Sequence, residues 1–366
     1  MDHIYCGGCG VRIQTTDKES VGYTPKSALN RENVLCQRCF RLKHYNEVQD
    51  VSIADDDFLN MIASIRKTNG LIVHIIDVFD VDGTLINGLP CITGDNPIIL
   101  VANKVDLLPK SINKRKLENW LRAKAKESGI KVLDVFLISS TKRHGIAELG
   151  KALENVRNQE DVYIVGTTNV GKSTFINTLI EQSTGLKHAI TTSYFPGTTL
   201  GFIKIPLDER SFLVDTPGIV NRKQFVHYVS KADLKLIIPD KEIKPRIYQL
   251  NPGQTLFFGG LARLDFLTGL QQSFVCYFSN QLPIHRTKLE KADDLYAKHK
   301  GGLLSPPNQG TLNTWPDLTA EAYKIKDGKT DIVFPGLGWV SMVDGHLTVQ
   351  AHTPEGIPAT LRKALV

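Results

Sequence analysis

Long apolar runs are missing from this chain of 366 residues, none approaching the roughly 20 needed to span a bilayer. The opening residues Met1, Asp2, His3, Ile4, Tyr5 and Cys6 lack the basic region and apolar stretch of a secretory signal, so the expected compartment is the cytoplasm, with no membrane partner. Blocks of five or more like charges are also missing, as are internal repeats and low-complexity tracts, which argues against a charged tail or a solenoid. A net charge of only +6 permits nucleic acid without demanding it. Hydrophobic residues at 42% and charged residues at 22% are an ordinary globular balance. Cysteine is sparse too. Four of the six form two Cys-x-x-Cys pairs, Cys6 with Cys9 and Cys36 with Cys39, while Cys91 and Cys276 stand alone. In a reducing compartment that pattern favours a metal over disulfides.

Three regions follow from composition. Residues 1–49 are short of apolar periodicity and hold both cysteine pairs, so a metal staple would replace a core. Residues 50–225 alternate buried-strand patterns (71–76, 97–102, 132–138, 162–165 and 211–214) with helical patterns at 113–128 and 173–182, which predicts an α/β doubly wound, mostly parallel sheet. Residues 226–366 show short β-type runs at 255–258, 273–278, 331–334, 339–343 and 347–349 between Gly/Pro turns. They read as a β-rich α+β domain with a helix near 288–299.

The most specific chemistry lies at Gly166, Thr167, Thr168, Asn169, Val170, Gly171, Lys172 and Ser173, which follows a strand and opens a helix. Glycines at both ends let backbone N–H groups turn inward on phosphate oxygens. Lys172 would neutralise the β/γ-phosphates and Ser173 would ligate magnesium, with Thr174 among the nucleotide contacts. Asp215, Thr216, Pro217 and Gly218 end the next strand. Asp215 can reach a magnesium shell through water, and the Gly218 N–H can sense a γ-phosphate. Between these, Pro196, Gly197, Thr198 and Thr199 would supply a switch hydroxyl to magnesium, Thr199 being the first choice and Thr198 the alternative. Base choice points to Asn103, Lys104, Val105 and Asp106. A carboxylate at Asp106 accepts from guanine N1–H and the 2-amino group, whereas adenine would leave it desolvated and unpaired. A second guanine element, Ser139 and Ser140 with Thr141 and Lys142, would offer the Ser140 N–H to the 6-keto oxygen. Bound GTP/GDP and Mg2+ are therefore expected, and Cys6, Cys9, Cys36 and Cys39 supply a tetrahedral set for Zn2+. The cations and rings at Arg38, Phe40, Arg41, Lys43, His44 and Tyr45 suit either an RNA-contacting surface or a solvated structural face.

These elements resemble the motifs of translation-factor-type GTPases over about 70–220, but the guanine elements precede the phosphate loop, as in circularly permuted GTPases. In GTPases resembling this one, an asparagine at the place of Asn169 helps hold K+ against the phosphates. Ile219 stands where many carry the glutamine that orients water, so slow, potassium-stimulated hydrolysis is expected. Together with Arg38, Cys39, Phe40, Arg41, Leu42, Lys43, His44, Tyr45 and Asn46, the whole pattern resembles the YqeH family of zinc-containing, circularly permuted GTPases related to plant nitric-oxide-associated proteins. That resemblance implies a role in ribosome biogenesis, at the small (30S) subunit. Ribosomal RNA or a subunit precursor would be the partner and the C-terminal domain a recognition module. The oligomeric state is left open. Thr141 departs from the family's usual Ser-Ala-Lys serine loop.

Overall fold

In the computed structural model the described residues are 4–31, 34–45, 64–182, 202–326 and 328–365, with the backbone alone at 52–53. They divide into two compact units, Met1–Val105 with Lys114–Asn221, and Asp106–Asn113 with Arg222–Val366. The cysteine module and the nucleotide motifs other than Asp106 thus share a unit.

In the first unit the strands are β1 (Ser52–Ile53), β2 (Leu71–Asp77), β3 (Ile98–Asn103), β4 (Val132–Leu137), β5 (Val162–Val165), β6 (Ile203–Pro206), β7 (Phe212–Asp215) and β8 (Gly218–Ile219). Six of them form one sheet in the order β4-β3-β2-β5-β7-β6. All neighbours are parallel except β6 against β7. Every residue of β2, β3 and β5 is buried. That is why they read as unbroken apolar runs: a parallel strand covered on both faces has no solvent side to alternate with. The longer described helices of the unit are α1 (Gln37–Tyr45), α2 (Lys114–Glu127), α3 (Ile146–Val156) and α4 (Lys172–Gln182). The inward stripe of α2 is Leu117, Leu121 and Ala125, at a spacing of one helical turn. Asp77, Asn103, Val165 and Asp215 all stand at the carboxyl ends of strands, where open α/β sheets gather ligands.

The second unit carries β9 (Arg246–Leu250), β10 (Gln254–Phe258), β11 (Ala262–Thr268), β12 (Gln272–Phe278), β13 (Ile284–Lys288), β14 (Leu318–Ile325), β15 (Thr330–Phe334), β16 (Gly338–Met342), β17 (Leu347–Pro354) and β18 (Thr360–Lys363). They form two antiparallel sheets, β13-β10-β11-β17-β14 and β18-β15-β16-β12-β9. One apolar cluster takes side chains from both sheets, including Leu256, Phe258, Val349, Phe274, Phe334 and Met342. This is sandwich packing. Helix α5 (Lys231–Ile237) is capped by the Ser230 side chain, and α6 (Ala292–His299) falls inside the helix expected near 288–299. Among the described residues no helix is long and apolar enough to cross a membrane.

Candidate functional site

Residues 166–171 turn the chain from β5 into α4, whose first residue is Lys172. Gly171 has φ +88, and a Cβ there would lie 2.5 Å from Asn103 Nδ2, so backbone conformation and crowding both require glycine. Asn169 holds φ 64, a left-handed conformation that asparagine adopts more readily than most residues. Lys172 is 1% exposed, and its Nζ donates to Thr167 O at 3.1 Å and Gly166 O at 3.5 Å. The ammonium is thereby folded over the loop, beside the positive end of α4.

The Asn103 side chain joins three motifs. Its Nδ2 donates to Val170 O at 2.9 Å, and its Oδ1 accepts from both Ser140 N and Ser140 Oγ at 3.0 Å. Lys104 makes a parallel link, donating to Asp77 Oδ2 at 2.7 Å and to Asn169 O at 2.6 Å. Thr178 Oγ1 on α4 donates to Ser140 O at 3.3 Å. The stretch at 103–104, the serine loop and the phosphate loop, distant in the chain, therefore meet. The Ser140 N–H, expected at a guanine keto oxygen, is engaged by Asn103 here. Asp106 carries a buried Oδ1 with no hydrogen-bond partner among the described residues.

The D-x-x-G segment sits directly on the phosphate loop. Thr216 Oγ1 donates to Ile164 O at 2.8 Å, Thr168 N to Ile219 O at 2.8 Å and Ile219 N to Gly166 O at 3.3 Å. A Cβ on Gly218 would lie 2.9 Å from Lys172 Nζ, so glycine keeps this close approach open. On its other side β8 pairs in parallel with β1, Ser52 with Gly218 and Ile53 with Ile219. Asp215, 2% exposed, forms an ion pair through Oδ2 with Arg38 Nη2, which also donates to the Asp215 carbonyl at 3.1 Å. Burial opposes the charge on Arg38, but the adjoining Asp215 carboxylate outweighs it and holds the guanidinium pKa above its usual value.

Arg38 comes from α1, between two of the clustered cysteines. The Sγ atoms of Cys6, Cys9, Cys36 and Cys39 all lie within 4.8 Å of one another. Cys9 Sγ and Cys36 Sγ are 3.8 Å apart. A tetrahedral zinc with Zn–S of about 2.3 Å sets its sulfurs about 3.8 Å from each other, so the donor set fits zinc. Gly8 N and Cys36 N point at Cys6 Sγ at 3.3 and 3.1 Å, as expected where a thiolate carries charge. The cysteines also join the apolar cluster containing Leu71, Ile99 and Ile164.

Guanine nucleotide and magnesium fit the phosphate-loop side on the same kind of test. Thr167 Oγ1 and Thr168 Oγ1 are buried with no partner among the described residues, and Gly171 and Gly218 leave room that a side chain would fill. Lys172 and Ser173 would hold phosphate and magnesium, the latter supplying positive charge for the transferred phosphoryl group. Pro196, Gly197, Thr198 and Thr199 lie outside the described residues.

Arg38 is the residue that sequence reasoning misplaced. Grouped there with an exposed cationic face, it is 3% exposed and faces inward. Its helical neighbour Leu42, one turn on, is buried as well, and that spacing was the available signal. His74 is a satisfied core histidine: fully buried, accepting from Ile86 N at 3.1 Å, its pKa lowered by burial to about 4. Asp77 and Asp80 accept local bonds from Phe79 N and Gly83 N, and Asp77 also pairs with Lys104. Cys276 is a buried thiol and Cys91 an exposed one.

A family model described as 50S ribosome-binding GTPase matches residues 161–255, and one described as YqeH-like, C-terminal matches 271–365. The chain is 54% identical to the Bacillus subtilis (strain 168) protein YqeH over 100% of both chains. It is 28% identical to mouse nitric oxide-associated protein 1, covering 98% of this chain and 74% of that one. Against the Arabidopsis thaliana chloroplastic/mitochondrial NO-associated protein 1 the identity is 29%, with coverages of 92% and 69%. With a phosphate loop, a bridging Asn103 and a buried four-cysteine cluster in one unit, the chain belongs to the YqeH family of GTPases, to which the nitric-oxide-associated proteins are homologous.

Proposed function

We propose that this GTPase is a slow switch acting in ribosome biogenesis, at a precursor of the small (30S) subunit, in the cytoplasm. The observation that carries the nucleotide part is the Asn103 bridge between the phosphate loop and the serine loop. Asp106, with its partnerless oxygen, would accept from the guanine edge. Because the Ser140 N–H is engaged, the Thr141 N–H becomes the next donor in that loop for the 6-keto oxygen. Ser173 and Thr199 would ligate magnesium, Asp215 would meet its waters, and the Gly218 N–H would report the γ-phosphate. Asn169 would present a potassium ion to the phosphates, replacing an arginine finger. Equal turnover in potassium and sodium salts would remove that part.

Only a few residues separate Gly218 from the main segment of the second unit, Arg222–Val366. Nucleotide state would therefore reposition the second unit. Scattering profiles unchanged between empty, GDP and GTP-analogue states would contradict this. The ribosomal part rests on the family. One family model's description names the 50S particle, so the particle itself must be tested. Ribosome fractionation with and without a non-hydrolysable GTP analogue should show co-migration with small-subunit particles in the analogue state alone. Co-migration with large subunits, or with none, would refute it.

A second reading, an RNA-binding module stabilised by nucleotide with incidental hydrolysis, is favoured by Ile219, which cannot orient water. The N-terminal cleft of about 480 Å³, lined by Arg31, Phe40, Arg41, Lys43, His44 and Tyr45, also supports it. Arg31 lies over the Phe40 ring at 5.7 Å, and no described residue lining the cleft is acidic. Turnover raised by ribosomal particles supports the switch, and turnover indifferent to them supports the module.

A further inference from the structure

The magnesium motif is contacted from two places nearer the start of the chain, one in the zinc module and one just after it. From α1, Arg38 Nη2 holds both Oδ2 and the carbonyl of Asp215. From β1, the backbone of residues 52–53 pairs with Gly218 and Ile219. The two contacts bracket the D-x-x-G motif, residue 215 at one end and 218–219 at the other. Opposite β1, the same two residues are fastened to the phosphate loop, with Thr168 N bonded to Ile219 O and Ile219 N to Gly166 O. The motif that would sense magnesium and the γ-phosphate is therefore held from both sides.

The electrostatics of this arrangement are specific. Arg38 and Asp215 are both almost fully buried, so little water screens the pair. A guanidinium on Oδ2 already neutralises the negative charge that a carboxylate at this position would otherwise offer to a magnesium shell. It also draws that oxygen away from magnesium's waters. Arg38 cannot drift off as a surface arginine would, because Cys39 follows it in the chain and Cys36 precedes it by two residues, both in the cluster that fits zinc.

We propose that Arg38 is a positioning residue of the GTPase site, holding Asp215 for the zinc module and so opposing magnesium there. Magnesium-loaded nucleotide and the Arg38–Asp215 pair then compete for one carboxylate. By reciprocity, whatever loosens α1 from Asp215 favours magnesium. A partner that grips the exposed side of α1 would act on the nucleotide site through this residue. The inference rests on the assignment of Asp215 to the magnesium shell.

The test is a magnesium titration of full-length protein with fluorescent N-methylanthraniloyl-GDP, reading bound nucleotide and its dissociation rate rather than turnover. Arg38→Met, which keeps length and removes the charge, should lower the half-saturating magnesium concentration about tenfold. Arg38→Lys retains a charge but cannot grip two oxygens as a fork does; it should shift the midpoint the same way, about threefold. Lys18→Ala removes the same charge from an exposed site in the module and should change nothing. If Arg38→Met does not fold, judged by zinc content and circular dichroism, Arg38→Lys decides alone. A midpoint that stays put or rises in the folded Arg38 variants overturns the inference. Asp215→Asn separates the layers, since it should raise the midpoint about tenfold. If it has no effect, the magnesium assignment fails and the inference with it. If it shifts while the Arg38 variants do not, only the inference fails.

Discussion

Replacing Asn103 by alanine tests how the site is assembled. The side chain is 2% exposed and makes three hydrogen bonds, to Val170 O and from Ser140 N and Ser140 Oγ, at 2.9, 3.0 and 3.0 Å. At about 1 kcal/mol net for each, with the Ser140 N–H and Val170 carbonyl left unsatisfied at a buried site, the loss comes to about 3 kcal/mol. Part of this falls on folding. The rest falls on nucleotide, because the phosphate loop and the serine loop are no longer held in register. If about two thirds of it reaches the bound state, GDP affinity weakens about thirtyfold. The assay is a fluorescence titration with labelled GDP alongside a thermal melt. Asn103→Asp is the sharper variant: it keeps an acceptor for Ser140 but turns the Nδ2 donor into an oxygen facing Val170 O. It should therefore lose GDP while holding the serine loop. A folded Asn103→Ala protein whose GDP affinity moves less than about threefold would refute the reasoning.

Burial keeps His74 neutral with a pKa of about 4 against 6.5 when unfolded, so it contributes stability that is complete above pH 6.5 and is lost as pH falls toward 4. Between roughly pH 7.5 and pH 5 the native protein should lose about 2 kcal/mol more than His74→Gln in urea unfolding; equal losses would contradict this. Cys9→Ser should release the zinc, measured by metal analysis, and lower the thermal midpoint, since the cysteine cluster is continuous with the sheet's apolar core. Retained stoichiometric zinc would show that the four sulfurs are not the ligand set. In the second unit, the buried Asp331 accepts from Arg362 Nε at 3.1 Å, from Leu365 N at 3.0 Å and from Ser341. Asp331→Ala should destabilise that unit by about 3–5 kcal/mol, because it removes the carboxylate that faces the buried Arg362; a loss under about 1 kcal/mol would contradict it.

What was legible in the sequence is what chemistry forces to be local. Phosphate recognition needs consecutive backbone N–H groups, so Gly166–Ser173 could be read directly, and buried parallel strands announce themselves as apolar runs such as 71–76 and 97–102. The β-rich unit was legible as strands with buried faces, such as β12 and β16. It was not legible where exposure blurs the pattern, as in β13 with His285, Arg286 and Lys288, or β14, most of whose residues are exposed. Contacts between distant residues were out of reach: Arg38 meets Asp215 across 177 positions, and Asn103 meets Val170 across 67. Arg38 looks like a surface cation in sequence because an arginine carries no mark of its partner. Only its helical phase with Leu42 betrays the buried side.

The central claim is that residues 103–106 grip the base of the same molecule whose phosphates lie at 166–173, and isothermal titration of Asp106→Asn against GDP and xanthosine diphosphate tests it most directly. An amide at 106 replaces one acceptor oxygen with a donor, which suits the 2-oxo group of xanthine and opposes the 2-amino group of guanine. The account predicts that the native chain prefers GDP and the variant prefers xanthosine diphosphate, each by at least about tenfold. A variant that binds GDP as the native chain does, and gains nothing for the xanthine nucleotide, would contradict it.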